Sequence, residues 1–169
     1  MPGSCVNALC PTCALCCNGV LFADVRLQAG DDAKRLASLG VALKRRGSVV
    51  RFTQPCSCLT GERCGIYAER PARCRTFECR LLKRAQTGEI TERVALASIR
   101  KARAAAEKVR RILRELGDTN ETVPLSRRYQ RIMRQPIDLS ADERLIDLRG
   151  ELMLAVSELV AVLEREFLV

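Results

Sequence analysis

Cys10-Pro11-Thr12-Cys13-Ala14-Leu15-Cys16-Cys17 places four cysteines within eight residues of a 169-residue chain. Only Cys5 of the ten cysteines lies outside this stretch and a second group, which consists of Cys56, Cys58, Cys64, Cys74 and Cys79. A Cys-x-x-Cys turn brings two sulfurs to one side of a tight loop, where both can reach a tetrahedral metal at about 2.3 Å. Cys10, Cys13 and Cys16 repeat that spacing twice. We therefore expect these three sulfurs to share a metal that a distant cysteine completes.

The spacing admits either zinc or an iron–sulfur cluster. A C-x2-C-x2-C run with a fourth cysteine further along the chain is a ferredoxin pattern, and four thiolates equally suit a structural zinc. Cys17 lacks the usual three-residue gap after Cys16. Because adjacent side chains rarely reach one metal without strain, Cys17 is expected to face a second metal, to bridge two, or to pack as a small hydrophobic residue.

Histidine is absent from the whole sequence. This excludes zinc sites with histidine ligands, a Ser-His-Asp triad and any acid–base step by histidine. An all-thiolate zinc is usually structural and closed, whereas a catalytic zinc keeps a position open for water. The site is therefore expected to serve as a scaffold or a redox centre rather than in hydrolysis.

The length predicts one ordinary domain with a helical extension. Residues 1–5 lack the basic start and apolar stretch of a signal peptide. The longest apolar runs outside the cysteine groups have five residues, whereas a membrane span needs about 20. We expect a cytoplasmic protein without a membrane segment. Since cytosolic thiols are kept reduced, ten cysteines then indicate metal rather than disulfides.

The formal net charge of +9 raises the question of a nucleic-acid partner. Eight thiolates around two divalent metals would contribute −8 + 4 = −4, which offsets much of this surplus. The charge is also segregated: residues 91–116 carry a net +5 and residues 138–169 a net −5, so the two segments are complementary. Aromatic residues are sparse, which gives little support to base stacking. Nucleic acid is not the expected partner.

Short elements are predicted around the cysteines. Alternation predicts a strand over residues 21–27, and Val49, Val50 and Phe52 predict a second one. Between them, Asp31 is expected to cap a helix that ends at Gly47. Pro71 is expected in the first turn of one helix carrying both Cys74 and Cys79.

Three helices are predicted after residue 90. A regular heptad stripe predicts a helix over residues 91–116, followed by a short basic helix over 126–134. A capping-box match, Ser140 to Glu143, opens a last helix that runs to about Phe167. This last helix has two apolar stripes; the first contains Leu145, Leu148, Leu152, Ala155, Leu159 and Val162, and the second contains Met153, Val156, Val160, Leu163 and Phe167.

The predicted fold is mainly α, with a small irregular α+β cysteine-rich metal-binding part over residues 1–86. Residues 87–169 are expected to form a long antiparallel helical hairpin. Its second stripe either covers the cysteine-rich part or makes a homodimer or a contact with a protein partner.

Two cysteine motifs resemble those of a known family. Cys10 to Cys17 has the form C-x2-C-x2-C-C, and residues 56–79 contain C-x-x-L followed by R-C-x-I-Y-x-x-R-P-x-x-C-R-x-F-x-C. Together they resemble the bacterial YkgJ-type cysteine-cluster family, described as a putative zinc- or iron-chelating domain. The resemblance covers residues 10 to about 80 and leaves the helical tail out.

The resemblance implies which residues hold the metal: Cys10, Cys13, Cys16, Cys17, Cys56, Cys64, Cys74 and Cys79. Cys58 stands where the family more often has an apolar residue and is therefore a doubtful ligand, with the alternative that it replaces Cys56 in a shifted register. Cys5 has no counterpart and is expected to be a free thiol. Arg70, Arg73 and Arg75 are expected to stabilise the thiolates, because cations lower thiolate pKa values.

Three functions compete on this basis. The first is a cytosolic metal-binding protein that chelates zinc or an iron–sulfur cluster through about eight thiolates. The second is a cluster-dependent redox enzyme or a protein-modifying component, since some relatives, including flagellin lysine methylases, carry this motif within a larger enzyme. No Gly-rich motif for S-adenosylmethionine is present in this chain. The third, least favoured, is a basic zinc module that binds nucleic acid through residues 91–134.

Overall fold

A computed structural model describes residues 9–136 and 142–168. Short elements fill the cysteine-rich part: α1 (residues 9–13), β1 (Asp24–Arg26), α2 (Ala33–Ser38), β2 (Leu43–Arg46), β3 (Val49–Thr53), β4 (Leu59–Thr60), β5 (Arg63–Cys64), a 3-10 turn (Tyr67–Glu69), α3 (Ala72–Thr76) and α4 (Arg80–Gln86). Longer helices follow: α5 (Glu92–Glu115), α6 (Leu125–Arg134) and α7 (Glu143–Glu166). The predicted fold class, mainly α with a small α+β part, is confirmed.

The strands form a three-stranded antiparallel sheet in the order β1-β3-β2 and a separate β4-β5 pair. The prediction of one helix up to Gly47 is wrong, because α2 ends at Ser38 and residues 43–46 form β2. Gly40 adopts a φ of +94°, which ends the helix, and Gly47, with a φ of +59°, turns β2 back onto β3. Pairing with β3 places Leu43 opposite Phe52. Tertiary pairing therefore overrides the weak helical pattern of this segment.

Cys74 and Cys79 do not share a helix, contrary to the sequence prediction. Cys74 lies in α3, and Cys79 is the N-cap of α4. Phe77 between them has extended backbone, with φ −74° and ψ 122°. Its ring packs edge-to-face against Phe22 at a centroid distance of 4.9 Å. This aromatic contact lies at the break between α3 and α4, which separates Cys74 from Cys79.

The C-terminal hairpin is confirmed. Arg144 near the start of α7 pairs with Glu115 at the end of α5, and Glu166 at the end of α7 accepts a hydrogen bond from Ser98. The two helices therefore run antiparallel. The predicted α5 stripe is buried at Ala95, Ile99, Ala102, Ala106, Val109 and Leu113. The last helix begins slightly later than predicted, with Asp142 as its N-cap; Ser140 lies outside the described residues.

The buried apolar side chains form two separate cores, and both include residues of the cysteine-rich part. The large core joins buried residues of α5, α6 and α7 to Leu9, Leu15, Val20, Leu81 and Leu82. The small core consists of Val25, Leu36, Val41 and Phe52. Most of the second α7 stripe lies in the large core, since Val156, Leu163 and Phe167 are buried, whereas Met153 is 55% exposed. Most of that stripe is therefore covered by the chain itself.

The ion pairs between α5 and α7 follow the net charges of the two helices only in part. Lys108 pairs with Glu158 at 3.0 Å, as the net charges imply. The Arg144–Glu115 pair has the opposite sense, with the cation on α7. Other cations of α5 pair elsewhere: Arg114 contacts Glu107 and Glu121. Much of the basic surface of α5 is therefore neutralised locally.

A buried ion pair anchors α6 beside the first cysteine stretch. Arg128 donates from Nε to Oδ1 of Asp118 at 3.1 Å, and the two side chains are 2% and 1% exposed. Arg131 donates to the other carboxylate oxygen at 2.6 Å. At the start of α6, the Leu125 N–H donates to the Gly19 carbonyl at 2.9 Å. This polar network holds the loop that immediately follows Cys17.

Candidate metal centre

The first cysteine stretch is bent by Ala14. Cys10 and Cys13 lie in α1, and Ala14 follows in the left-handed region with a φ of +56°. The N–H groups of Cys17 and Asn18 donate to the Ala14 carbonyl at 2.8 and 2.9 Å. This turn folds the Cys16-Cys17 pair back after the helix, so that the four cysteines occupy a short, compact path.

The second group is brought to the first by separate local elements. The Cys56 N–H donates to the Cys17 carbonyl at 2.8 Å, which ties the two groups together directly. Pairing of β4 with β5 places Cys64 opposite Leu59. Cys74 comes from α3 and Cys79 from the start of α4.

Seven of the eight predicted ligands line one cavity of about 590 Å³: Cys10, Cys13, Cys16, Cys17, Cys64, Cys74 and Cys79. The eighth, Cys56, and the doubtful Cys58 are not part of that lining. All nine cysteines of the described residues are free thiols. The structure thus gathers the predicted thiols around a shared space without disulfides.

The cysteine sulfurs do not surround a single metal position, although most of these residues line the same cavity. Within residues 9–136 and 142–168, no three Cys, Asp or Glu side chains are arranged as ligands of a single metal ion. The donor set itself fits zinc or iron, because both are bound by clusters of cysteine thiolates. A thiolate site is therefore supported by the residue types present, by their position around the cavity and by their local hydrogen bonds, and not by a complete metal coordination geometry.

Backbone N–H groups oppose part of the effect of burial at three sulfurs. The Leu82 N–H donates to the Cys79 sulfur at 3.4 Å. Burial raises the pKa values of Cys13, Cys56 and Cys79, and the backbone N–H groups of Leu15, Cys58 and Leu82 respectively lower them in part, because they stabilise the thiolates. Hydrogen bonds to ligand sulfurs are among the features that tune metal–thiolate sites.

The thiols that surround Cys79 are electrostatic neighbours. Burial is the main reason that the pKa values of Cys10, Cys13 and Cys16 are raised, and the negative charge of Cys79 raises all three further. The pKa of Cys13 reaches about 12. For Cys16, the charges of Cys13 and Cys17 raise the pKa more than the charge of Cys79 does.

A second set of thiols surrounds Cys64. Burial raises the pKa values of Cys17 and Cys74 to about 11 and that of Cys56 to about 12. Among the charged neighbours of Cys17, Cys64 and then Cys74 raise its pKa most. The charges of Cys56 and Cys64 raise the pKa of Cys74. Negative charge on Cys58, Cys17 and Cys64 raises the pKa of Cys56 further. Because these pKa values lie far above neutral pH, a metal would have to displace protons from these thiols.

Two arginines favour the thiolate forms. Arg70 lowers the pKa values of Cys10, Cys17 and Cys74, against the larger opposing effect of burial. Its guanidinium lies 3.5 Å above the Tyr67 ring, and its Nε donates to the Tyr67 carbonyl at 2.8 Å. Arg103 of α5 similarly lowers the pKa of Cys13. The sequence prediction named Arg70 and missed Arg103, which is far away along the chain.

Cys58 already has a partner of its own. Its S–H donates to the Leu39 carbonyl at 3.5 Å, and its side chain packs against the small core. This contact is consistent with a structural thiol. Cys5 lies outside the described residues.

Gln54 is a cavity residue that the sequence did not indicate. It is 1% exposed, and its side-chain oxygen has no hydrogen-bond partner within the described part of the chain. It directly precedes Pro55 and Cys56, in a segment whose sequence indicated only a turn. Phe167, at the far end of α7, also lines the cavity.

Comparison with known proteins identifies the family. No curated protein and no solved structure matched the chain. Among the described residues, no helix is long and apolar enough to cross a membrane. The family model that matches, a putative zinc- or iron-chelating domain, covers residues 9–111. The match therefore extends beyond residue 80 and includes most of α5, unlike the resemblance drawn from the motifs. The chain belongs to the CxxCxxCC family of zinc- or iron-chelating domains.

Proposed function

We propose that this chain is a cytoplasmic metal-binding protein that holds zinc or an iron–sulfur cluster through eight cysteines: Cys10, Cys13, Cys16, Cys17, Cys56, Cys64, Cys74 and Cys79. The observation that carries the proposal is the cavity of about 590 Å³, which seven of these eight residues line. Zinc in such a site would brace the fold, whereas an iron–sulfur cluster would carry electrons.

The surroundings support this assignment. The Leu82 N–H donates to the Cys79 sulfur. Nearby backbone N–H groups and Arg70 favour the thiolate forms against the larger effect of burial, in both cysteine groups. Metal binding would require the cysteine sulfurs to move closer together, since no three ligand side chains of the described residues are arranged around one metal position. A cytoplasmic location is supported by the free thiols of the described residues, since reduced cysteines are typical of that compartment.

Serine variants test the ligand set. Cys64→Ser is expected to lower the metal content of protein purified without air, because serine replaces a thiolate ligand. Cys58→Ser is the matched control in the same loop and should retain the metal of the wild type, since the Cys58 thiol is bonded to the Leu39 carbonyl. Metal content is measured by elemental analysis. Equal loss in the two variants, or no loss in Cys64→Ser, would contradict the assignment.

A cluster-dependent redox enzyme or a protein-modifying component is the second candidate. The cavity favours it, because aromatic and polar side chains such as Phe22, Tyr67 and Gln86 line it together with the cysteines. Catalysis at the metal requires a coordination position that substrate can reach. A loaded structure with every metal position taken by cysteine and no space beside the metal would remove this candidate.

Two partner proposals have weaker support. Nucleic-acid binding through residues 91–134 is disfavoured by the local pairing of Arg103 with Glu62 and of Arg114 with Glu107; absence of binding at low salt would remove it. A homodimer or another protein contact through the C-terminal helices is supported by Met153 and Leu154, which are 55% and 74% exposed. A monomer in light scattering would remove the homodimer.

A further inference from the structure

We infer that the eight cysteines form two separate four-thiolate centres, one built by Cys10, Cys13, Cys16 and Cys79 and the other by Cys17, Cys56, Cys64 and Cys74. This inference rests on the proposed metal-binding function and assigns each ligand to a centre. The alternative is one polynuclear centre that all eight sulfurs share.

The two apolar cores divide four of the eight proposed ligands in this way. Cys13 and Cys79 pack against the large core. Cys56 and Cys74 pack against the small core. Each pair contains residues far apart in sequence, so the division reflects the fold and not chain proximity. A first centre would therefore adjoin the helical hairpin, and a second would adjoin the sheet.

Backbone connections divide the adjacent pair Cys16-Cys17. The Cys17 carbonyl accepts the Cys56 N–H at 2.8 Å, which attaches Cys17 to the second group. Adjacent side chains rarely reach one metal without strain, so the two residues are suited to different centres. The Ala14 turn that precedes them folds both residues back after α1, and the chain passes from one centre to the other between Cys16 and Cys17.

Local structure supports the same division. The strand β5, which contains Cys64, pairs with β4, and the Leu59 N–H of β4 donates to the Cys56 carbonyl at 3.0 Å, which attaches Cys64 to the second set. Cys10 and Cys13 of the first set lie together in α1. The two centres would thus be neighbours that share no ligand.

The number of donors is consistent with two centres. Four thiolates complete one tetrahedral zinc, or ligate one [4Fe–4S] cluster. Eight cysteines then complete two centres, and Cys58 stays bonded to the Leu39 carbonyl.

Cadmium NMR of the full chain loaded with cadmium tests the division without mutation. Two resonances are expected. Scalar coupling to cysteine β-protons should connect one resonance to Cys10, Cys13, Cys16 and Cys79. The other should couple to Cys17, Cys56, Cys64 and Cys74. A cadmium coupled to cysteines of both sets, or cadmium–cadmium coupling through a shared sulfur, would overturn the division while leaving the proposed function intact. Absence of any cadmium–cysteine coupling would overturn both.

Variants add an independent readout. Cys79→Ser is expected to abolish the first resonance and leave the chemical shift of the second nearly unchanged, and Cys74→Ser should do the reverse. Cys58→Ser should retain both resonances. If a variant unfolds, the couplings in the wild type still decide.

Discussion

Removal of the metal by a chelator at neutral pH is expected to unfold the sheet around the small core while the helical hairpin stays folded. The small core has four buried side chains, each worth about 1.5–3 kcal/mol on burial. Small domains with so few core residues usually need a metal or disulfides. A structural zinc contributes about 10–16 kcal/mol in zinc-finger peptides. The metal is therefore expected to dominate the stability of this part.

Amide hydrogen exchange can locate the change. Protection should be lost at Val25 and Phe52 after chelation, because their strands surround the small core. It should persist at Val109 and Leu159, which lie in the large core. Added zinc should restore the lost protection. Equal protection at Val25 and Phe52 with and without metal would contradict the structural role of the metal.

Asp118→Ala is expected to destabilise the chain by about 3–5 kcal/mol, because it leaves the Arg128 guanidinium buried without its counter-charge. Arg128 is 1% exposed, so water cannot replace the lost carboxylate. Arg128 also donates to the Asp118 backbone carbonyl at 2.9 Å, a bond that the substitution keeps. The free energy of unfolding is measured by urea denaturation of the metal-loaded protein.

A matched control variant distinguishes the loss of a buried ion pair from the loss of an exposed one. Glu158→Ala removes the exposed Lys108–Glu158 pair, which should cost only about 0–1 kcal/mol. The double variant Asp118→Ala/Arg128→Met should recover part of the lost stability, because it also removes the buried charge. If Asp118→Ala costs no more than Glu158→Ala, the buried network does not support α6 as described.

The long helices were predictable because their signals are local and repeated. The heptad stripe of α5 becomes a buried face from Ala95 to Leu113, and Thr91 caps the helix by accepting a hydrogen bond from the Val94 N–H. Residues 43–46 were assigned incorrectly, because their strand is stabilised by pairing with β3 rather than by any pattern of their own. Short elements of this kind depend on tertiary contacts.

The candidate ligands were predictable as residues but not as an arrangement. Cysteine spacing marks Cys10, Cys13 and Cys16 directly, because these residues are neighbours along the chain. The proximity of Cys79 to them depends on the break at Phe77 and on α4, and neither has a local signal. Arg103 reaches this region from α5 by donating to the Thr12 carbonyl at 3.3 Å. Contacts between residues far apart in sequence therefore produce an arrangement of ligands that the cysteine spacing alone does not predict.

Elemental analysis with an absorption spectrum, on protein purified without air, tests the metal-binding proposal most directly. We expect stoichiometric zinc in a colourless solution, or iron in a brown solution that absorbs broadly in the visible range. Either result agrees with thiolate ligation by the eight cysteines. Protein that contains neither metal, yet keeps the circular dichroism and melting temperature of protein reconstituted with zinc or iron, would contradict it.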